Sequence, residues 1–206
     1  MKKKIFVVFA LLTVALMVFA SCDLGPSVAD MQKYNDMLKQ DYSQVQVLIN
    51  TKTATAEYDG TFTITFDGDE ITIDYSFEQM NTFEIGPDGS IVAPDGGFIT
   101  SKEGTIVVRN GEIVEGDVDV ELPDELGVYA GGFSFKPAFF SNAVIKNAKF
   151  EADVTNPQGF TGSDSLVCTD MHVTLIQNIN TKSLSNLELT YKANGAEVTI
   201  TYLFTK

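Results

Sequence analysis

The sequence predicts a mainly β, α+β fold: one amphipathic helix near the start of the mature chain, packed on a long, largely antiparallel sheet. Three observations predict it. Apolar residues recur at helical spacing over 27–42, a two-residue alternation takes over from Val45, and pairs such as Asp67-Gly68 and Asn194-Gly195 punctuate that alternation. Alternation with one polar side gives each strand one wet and one dry face, as antiparallel sheets allow. The dry face then needs a cover.

The chain opens with a leader. Lys2, Lys3 and Lys4 precede an uncharged apolar run, Ile5 to Ala20, that stops at Phe19-Ala20-Ser21-Cys22. A positive head, an apolar middle and small residues at the end make a cleaved secretory signal over 1–21. The run is shorter than the roughly 20 apolar residues of a membrane span. Cys22 after Ala-Ser resembles the lipobox of bacterial lipoproteins, although Phe19 stands where that family usually carries an aliphatic residue. The resemblance implies that Cys22 is lipidated and becomes the first residue of a protein held at an outer membrane face, periplasmic or at the cell surface. Several acyl chains would make the anchor lasting, since one chain binds only marginally. Asp23 resembles an inner-membrane retention signal of enteric bacteria.

Composition narrows the partners. The chain carries 14 Lys+Arg against 28 Asp+Glu, and without the three leader lysines the balance is 11 against 28, a formal −17. Such an excess repels phosphate backbones, so no nucleic acid is expected, and it works against flat adsorption onto anionic lipid. With Cys22 given to the lipid, Cys168 has no intramolecular partner, so the core must supply the stability. His172, the one histidine, lies too near in sequence to Cys168 for a cysteine-enzyme pair, and Cys168 reads as a small buried or half-buried residue.

After a short tether (22–26), the rest of the chain reads as one β-rich domain, 27–206, expected to be a monomer. Ser27, with Asp30 three residues on, suits a helix start. Val28, Met31, Tyr34, Met37, Leu38 and Tyr42 form the apolar stripe of a helix over roughly 27–42 whose other side is not basic, which favours core packing over membrane contact. Strand alternation follows in Val45–Ile49, Phe62–Phe66 and Ile71–Phe77, with hairpin turns expected at Asp59-Gly60 and Asp67-Gly68.

An internal similarity links the two ends of the domain. Asp67-Gly-Asp-Glu-Ile-Thr-Ile-Asp-Tyr-Ser-Phe77 parallels Asn194-Gly-Ala-Glu-Val-Thr-Ile-Thr-Tyr-Leu-Phe204, and Ile49-Asn-Thr-Lys52 recurs as Ile179-Asn-Thr-Lys182. Duplication and shared hairpin chemistry explain it equally well; either way, similar hairpins are expected at both ends of one sheet.

The middle is looser. Turn-rich residues 81–97 lead to short strands at 105–109 and 112–114, joined at Asn110-Gly111. Asp117, Asp119 and Glu121 alternate along a strand as an exposed acidic stripe; the spacing lacks a calcium loop, and no metal or other cofactor is expected. Phe133, Phe135, Phe139 and Phe140 surround Pro137 in a segment expected to fold over an apolar surface. Strand periodicity returns at 144–154, 171–177, 187–191 and 198–204, with a turn at Asn156–Gly159 and His172 facing water.

The order of helix, long alternating sheet (Val45 to Phe77 and Leu187 to Phe204) and Phe-rich insertion resembles the bacterial lipoprotein-carrier superfamily of LolA/LolB/LppX-like half-barrels. That resemblance implies a curved sheet, forming a half-barrel or open barrel around helices, and a cavity for acyl chains. The little helix after the first, the absence of Trp and the acidic middle depart from the carriers. On residue chemistry, Phe62, Ile64, Phe66, Ile73, Tyr75 and Phe77 would line one wall of such a cavity. Val173, Leu175, Leu189, Tyr191, Ile200 and Tyr202 would line another, with Phe139 and Phe140 near the mouth. The expected function is a membrane-anchored protein that binds or carries a lipid or other hydrophobic molecule. The alternative is a surface module with a filled core that binds a protein or glycan. An enzyme is not expected, because no nucleophile motif, metal-ligand cluster or phosphate loop occurs.

Overall fold

The computed structural model describes residues 26–93, 97–116 and 132–206. The leader, Cys22 and the stripe of Asp117, Asp119 and Glu121 lie outside the described residues.

Helix α1 spans Val28–Leu38. Its start is a capping box: the Asp30 N–H donates to Ser27 Oγ at 3.2 Å, and the Ser27 N–H donates back to the Asp30 carboxylate at 3.0 Å. The serine contacts hold the Asp30 carboxyl below its ordinary range. The helix is shorter than its periodicity predicts. It ends at a Lys39 cap, and Tyr42 lies beyond it on the way into the sheet.

The strands are β1 (Gln44–Lys52), β2 (Ala56–Asp67), β3 (Glu70–Asn81), β4 (Glu84–Ile85), β5 (Ile91–Val92), β6 (Phe98–Arg109) and β7 (Glu112–Glu115), followed by β8 (Phe140–Lys146), β9 (Lys149–Val154), β10 (Thr169–Asn178), β11 (Ser183–Ala193) and β12 (Ala196–Thr205). Ten of them form one sheet in the order β7-β6-β3-β2-β1-β12-β11-β10-β9-β8, while β4 and β5 pair separately. Every described ladder is antiparallel. The order is linear, so the described sheet is not closed.

One register row shows how the dry face is built. Phe150, Leu175, Leu187, Tyr202, Val47, Phe62, Tyr75 and Gly104 are successive cross-strand neighbours. Burying a large apolar side chain in such a row contributes about 1.5–3 kcal/mol. The β9–β11 side is covered by α1, which buries Met31, Tyr34 and Met37 and sets the Tyr34 ring 5.3 Å from that of Phe150. Asn35 fixes the Phe-rich segment to the helix, its amide donating to the Phe135 carbonyl at 2.9 Å and accepting the Phe135 N–H at 2.8 Å.

Several turns differ from expectation. Asp59-Gly60 lies inside β2 instead of at a hairpin; the β1–β2 connection runs through Thr53, where Thr53 N–H donates to the Ala56 carbonyl at 2.8 Å. Gly60 serves close approach, since a Cβ there would meet Phe62 Cε2 and Tyr58 Oη at 2.8 Å. Residues 144–154 are two strands, split by Asn147 and Ala148 at φ 52° and 62°. Asn156–Gly159 opens helix α2 (Pro157–Thr161) with Pro157 in its first turn, and Pro137–Phe139 is one 3-10 turn.

The two similar hairpins, β2–β3 and β11–β12, both belong to the large sheet, and Ile71, Ile73 and Tyr75 face as Val198, Ile200 and Tyr202 do. Their turns differ. Gly68 alone has positive φ in the first, whereas Asn194 and Gly195 both do in the second, the patterns of II′ and I′ turns. Upstream the likeness fails, because Ile49–Lys52 is strand and Ile179–Lys182 is the β10–β11 turn.

Candidate functional site

A groove of about 610 Å³ opens between the dry face of the sheet and the loop after α2. The sheet wall comes from alternate residues: Thr51 on β1, Met171 on β10, Leu189, Tyr191 and Ala193 on β11, and Ala196, Val198, Ile200 and Tyr202 on β12. Register explains their convergence, since Thr51 is paired with Val198, Val198 with Tyr191, and Ile200 with Leu189.

The facing wall is built by a short helix that stops abruptly. Asn156 Oδ1 accepts the Gly159 N–H at 2.9 Å to start α2, and buried Phe160 plugs it into an aromatic cluster with ring centroids 5.1 Å from Phe135, 5.2 Å from Phe133 and 5.3 Å from Phe140. Gly162 ends it at φ 71°, its N–H donating to the Gln158 carbonyl at 2.8 Å, the left-handed cap that glycine favours. Beyond that cap Ser163, Ser165, Leu166 and Val167 line the groove. Thr161 Oγ1 donates to the Pro157 carbonyl at 2.9 Å, and the Ser163 and Ser165 hydroxyls lie 3.2 Å apart. At the inner end, Phe133 meets the Tyr202 ring edge-on at 5.4 Å.

The lining combines apolar side chains with hydroxyls and one amide: exposed or half-exposed Thr51, Thr53, Ser163, Ser165 and Asn194, and buried Thr161, Tyr191 and Tyr202. No Lys, Arg, His, Asp or Glu is among the described lining residues. Cys168 is half-buried beside Val167, and burial pushes its thiol pKa up, the opposite of what an activated thiolate requires. His172 lies on the other face of β10, with Nδ1 3.0 Å from Asp153 Oδ1; hydrogen bonds from Asn142 and then His172 hold that carboxyl low. Among the described residues no group of three or more His, Cys, Asp or Glu could hold a metal ion.

The sequence-derived candidates divide. Leu189, Tyr191, Ile200 and Tyr202 line the groove. Val173 and Leu175 sit on the same sheet face but are fully buried in the core. Phe62, Ile64 and Tyr75 are buried and Phe66, Ile73 and Phe77 partly buried on β2 and β3, across β1 from the groove, and none of them lines it. Phe140 stacks on Phe135 at 5.6 Å and belongs to the aromatic cluster, while Phe139 lies beneath the Lys136 ammonium, 5.1 Å from its ring centroid. The groove includes residues that sequence reasoning missed. Thr51, Met171 and Val198 could have been found, since each continues the parity of Ile49, Val173 and Ile200. Ser163–Val167 carries no periodic signal.

No protein-family model matches the chain, and no curated protein matches it by sequence. No helix among the described residues is long and apolar enough to cross a membrane.

Proposed function

We propose that this protein is a lipid-anchored, extracytoplasmic lipoprotein that binds a hydrophobic molecule, its open sheet acting as a half-barrel of the lipoprotein-carrier type. The observation that carries this reading is the groove of about 610 Å³, lined mostly by apolar side chains of the sheet, with the Ser163 and Ser165 hydroxyls on the facing loop. Its size falls within the roughly 300–1,000 Å³ of small-molecule sites. Strand twist of about 20–25° per neighbour gives a ten-stranded sheet the curl that such a wall needs. Lys2 to Cys22 supports the anchor, since a signal ending in Ala20-Ser21-Cys22 supplies the lipidation chemistry.

Two measurements test the proposal. Native mass spectrometry of protein purified without detergent is expected to show a noncovalent apolar adduct, and its consistent absence would remove the carrier reading. Detergent-phase partitioning is expected to retain the full-length protein and to lose Cys22→Ser. An unmodified Cys22 thiol in the native host would remove the anchor.

A second reading rests on a different observation. The β4–β5 hairpin exposes Ile85 (70%) and Ile91 (73%), beside half-exposed Phe83 and Val92. Such a patch suits a surface module that binds a protein. Pull-down of a partner that is lost in Ile85→Ser/Ile91→Ser, from protein holding no adduct, would favour it.

A further inference from the structure

We infer that the groove selects an amphiphile with an uncharged, hydroxyl-bearing head, of the monoacylglycerol class, over fatty-acid anions and cationic amphiphiles. This rests on the groove being a binding site, as proposed above, and adds what the head must be.

The argument is one of charge and hydrogen bonding. An ionised carboxylate or phosphate entering a partly dry site needs a cation or several N–H donors in compensation, and one left unpaired is strongly disfavoured. Among the described residues the lining offers no Lys, Arg or His. Lys52 and Lys192, chain neighbours of lining residues, are not in the lining and pair instead with Glu57 at 3.5 Å and Asp170 at 3.4 Å. A cationic head finds no carboxylate among the described lining residues.

The rim does suit a polyol. Thr51, Thr53, Ser163 and Ser165 carry hydroxyls that both donate and accept, and Asn194 adds an amide. Thr51 and Thr53 stand at the β1–β2 end, level with the β11–β12 turn that carries Asn194, and Ser163 and Ser165 stand on the facing loop. Leu189, Ile200 and Tyr202 continue the same wall inward. An acyl chain laid along that wall leaves its head among the hydroxyls.

The test is competition against groove-bound Nile red, a neutral apolar dye, by monolauroylglycerol, laurate and dodecyltrimethylammonium at mildly alkaline pH. Monolauroylglycerol is expected to displace the dye at least about tenfold more effectively than either charged amphiphile, the discrimination that an unpaired polar group brings. Ser165→Lys, at an exposed rim position, is expected to improve laurate by up to about fivefold, the scale of an exposed ion pair, without improving monolauroylglycerol. Equal displacement by all three, or a preference for a charged head, overturns the inference while leaving the groove as a hydrophobic site. Failure of Nile red and every amphiphile to bind overturns both.

Discussion

The Tyr42 hydroxyl accepts the backbone N–H of Leu184 at 3.0 Å and donates to the Met37 carbonyl at 2.8 Å, joining the end of α1 to β11. The contact falls where β11 slips register against β10, between Asn186 and Leu184, so a side chain supports the strand where its ladder is irregular. The Met37 carbonyl also receives the Gln40 N–H, so Leu184 depends on this hydroxyl more than Met37 does. Tyr42→Phe keeps the ring and strands a buried N–H. It is expected to lower unfolding free energy by about 1–3 kcal/mol in urea titration; an unchanged midpoint would contradict the role given to the hydroxyl.

Alkaline pH should weaken the same region. Burial, with a smaller contribution from Asp30, pushes the Tyr34 phenol up to about 12, and burial also raises Tyr42. The unfolded chain ionises its tyrosines near pH 10 and therefore binds fewer protons than the folded one above that value. The tyrosines' contribution to stability is fully present below about pH 10 and is lost as pH rises towards about 12. Tyr34→Phe is expected to flatten that decline in urea midpoints measured across the window. An identical slope in the variant would locate the effect elsewhere.

Glycine at mid-strand is expected to matter where a ring lies over it. A Cβ on Gly104 would meet Tyr75 Oη at 2.5 Å and Cζ at 2.8 Å, and Tyr75 is itself buried. Gly104→Ala must displace that ring at a cost of about 1–3 kcal/mol, read from thermal or urea unfolding. Full retention of stability would show that the ring moves freely.

The β8–β9 turn holds Ala148 at φ 62°, where the turn type favours glycine. Relief of about 1–2 kcal/mol of left-handed strain outweighs the roughly 0.5–1 kcal/mol entropy cost of glycine. Ala148→Gly is therefore expected to stabilise by about 0.5–1 kcal/mol, and a loss of stability would contradict that geometry.

The strands were legible wherever one face stayed dry, because a period of two survives even in 12-residue β2 and β3. Asp59-Gly60 misled because glycine serves both turns and close packing, and only the rings of Tyr58 and Phe62 distinguish them. The division of residues 144–154 was hidden by Ala148, whose side chain gives no turn signal. For the groove, parity could place the β11 and β12 wall. It could not say that β2 and β3 stand across β1 from it, because strand order is set by long-range pairing that no local pattern encodes. The facing loop was legible only as irregular chain; its position depends on Phe160 filling the aromatic cluster.

Whether the groove is where an apolar chain binds can be read directly by methyl NMR during titration with monolauroylglycerol and, separately, laurate. The account expects saturable shifts at Leu189, Val198 and Ile200, abolished by Ala193→Trp at the groove mouth, with Ile85 and Ile91 unmoved. Shifts confined to Ile85, Ile91 and Val92, or none with either amphiphile, would contradict it.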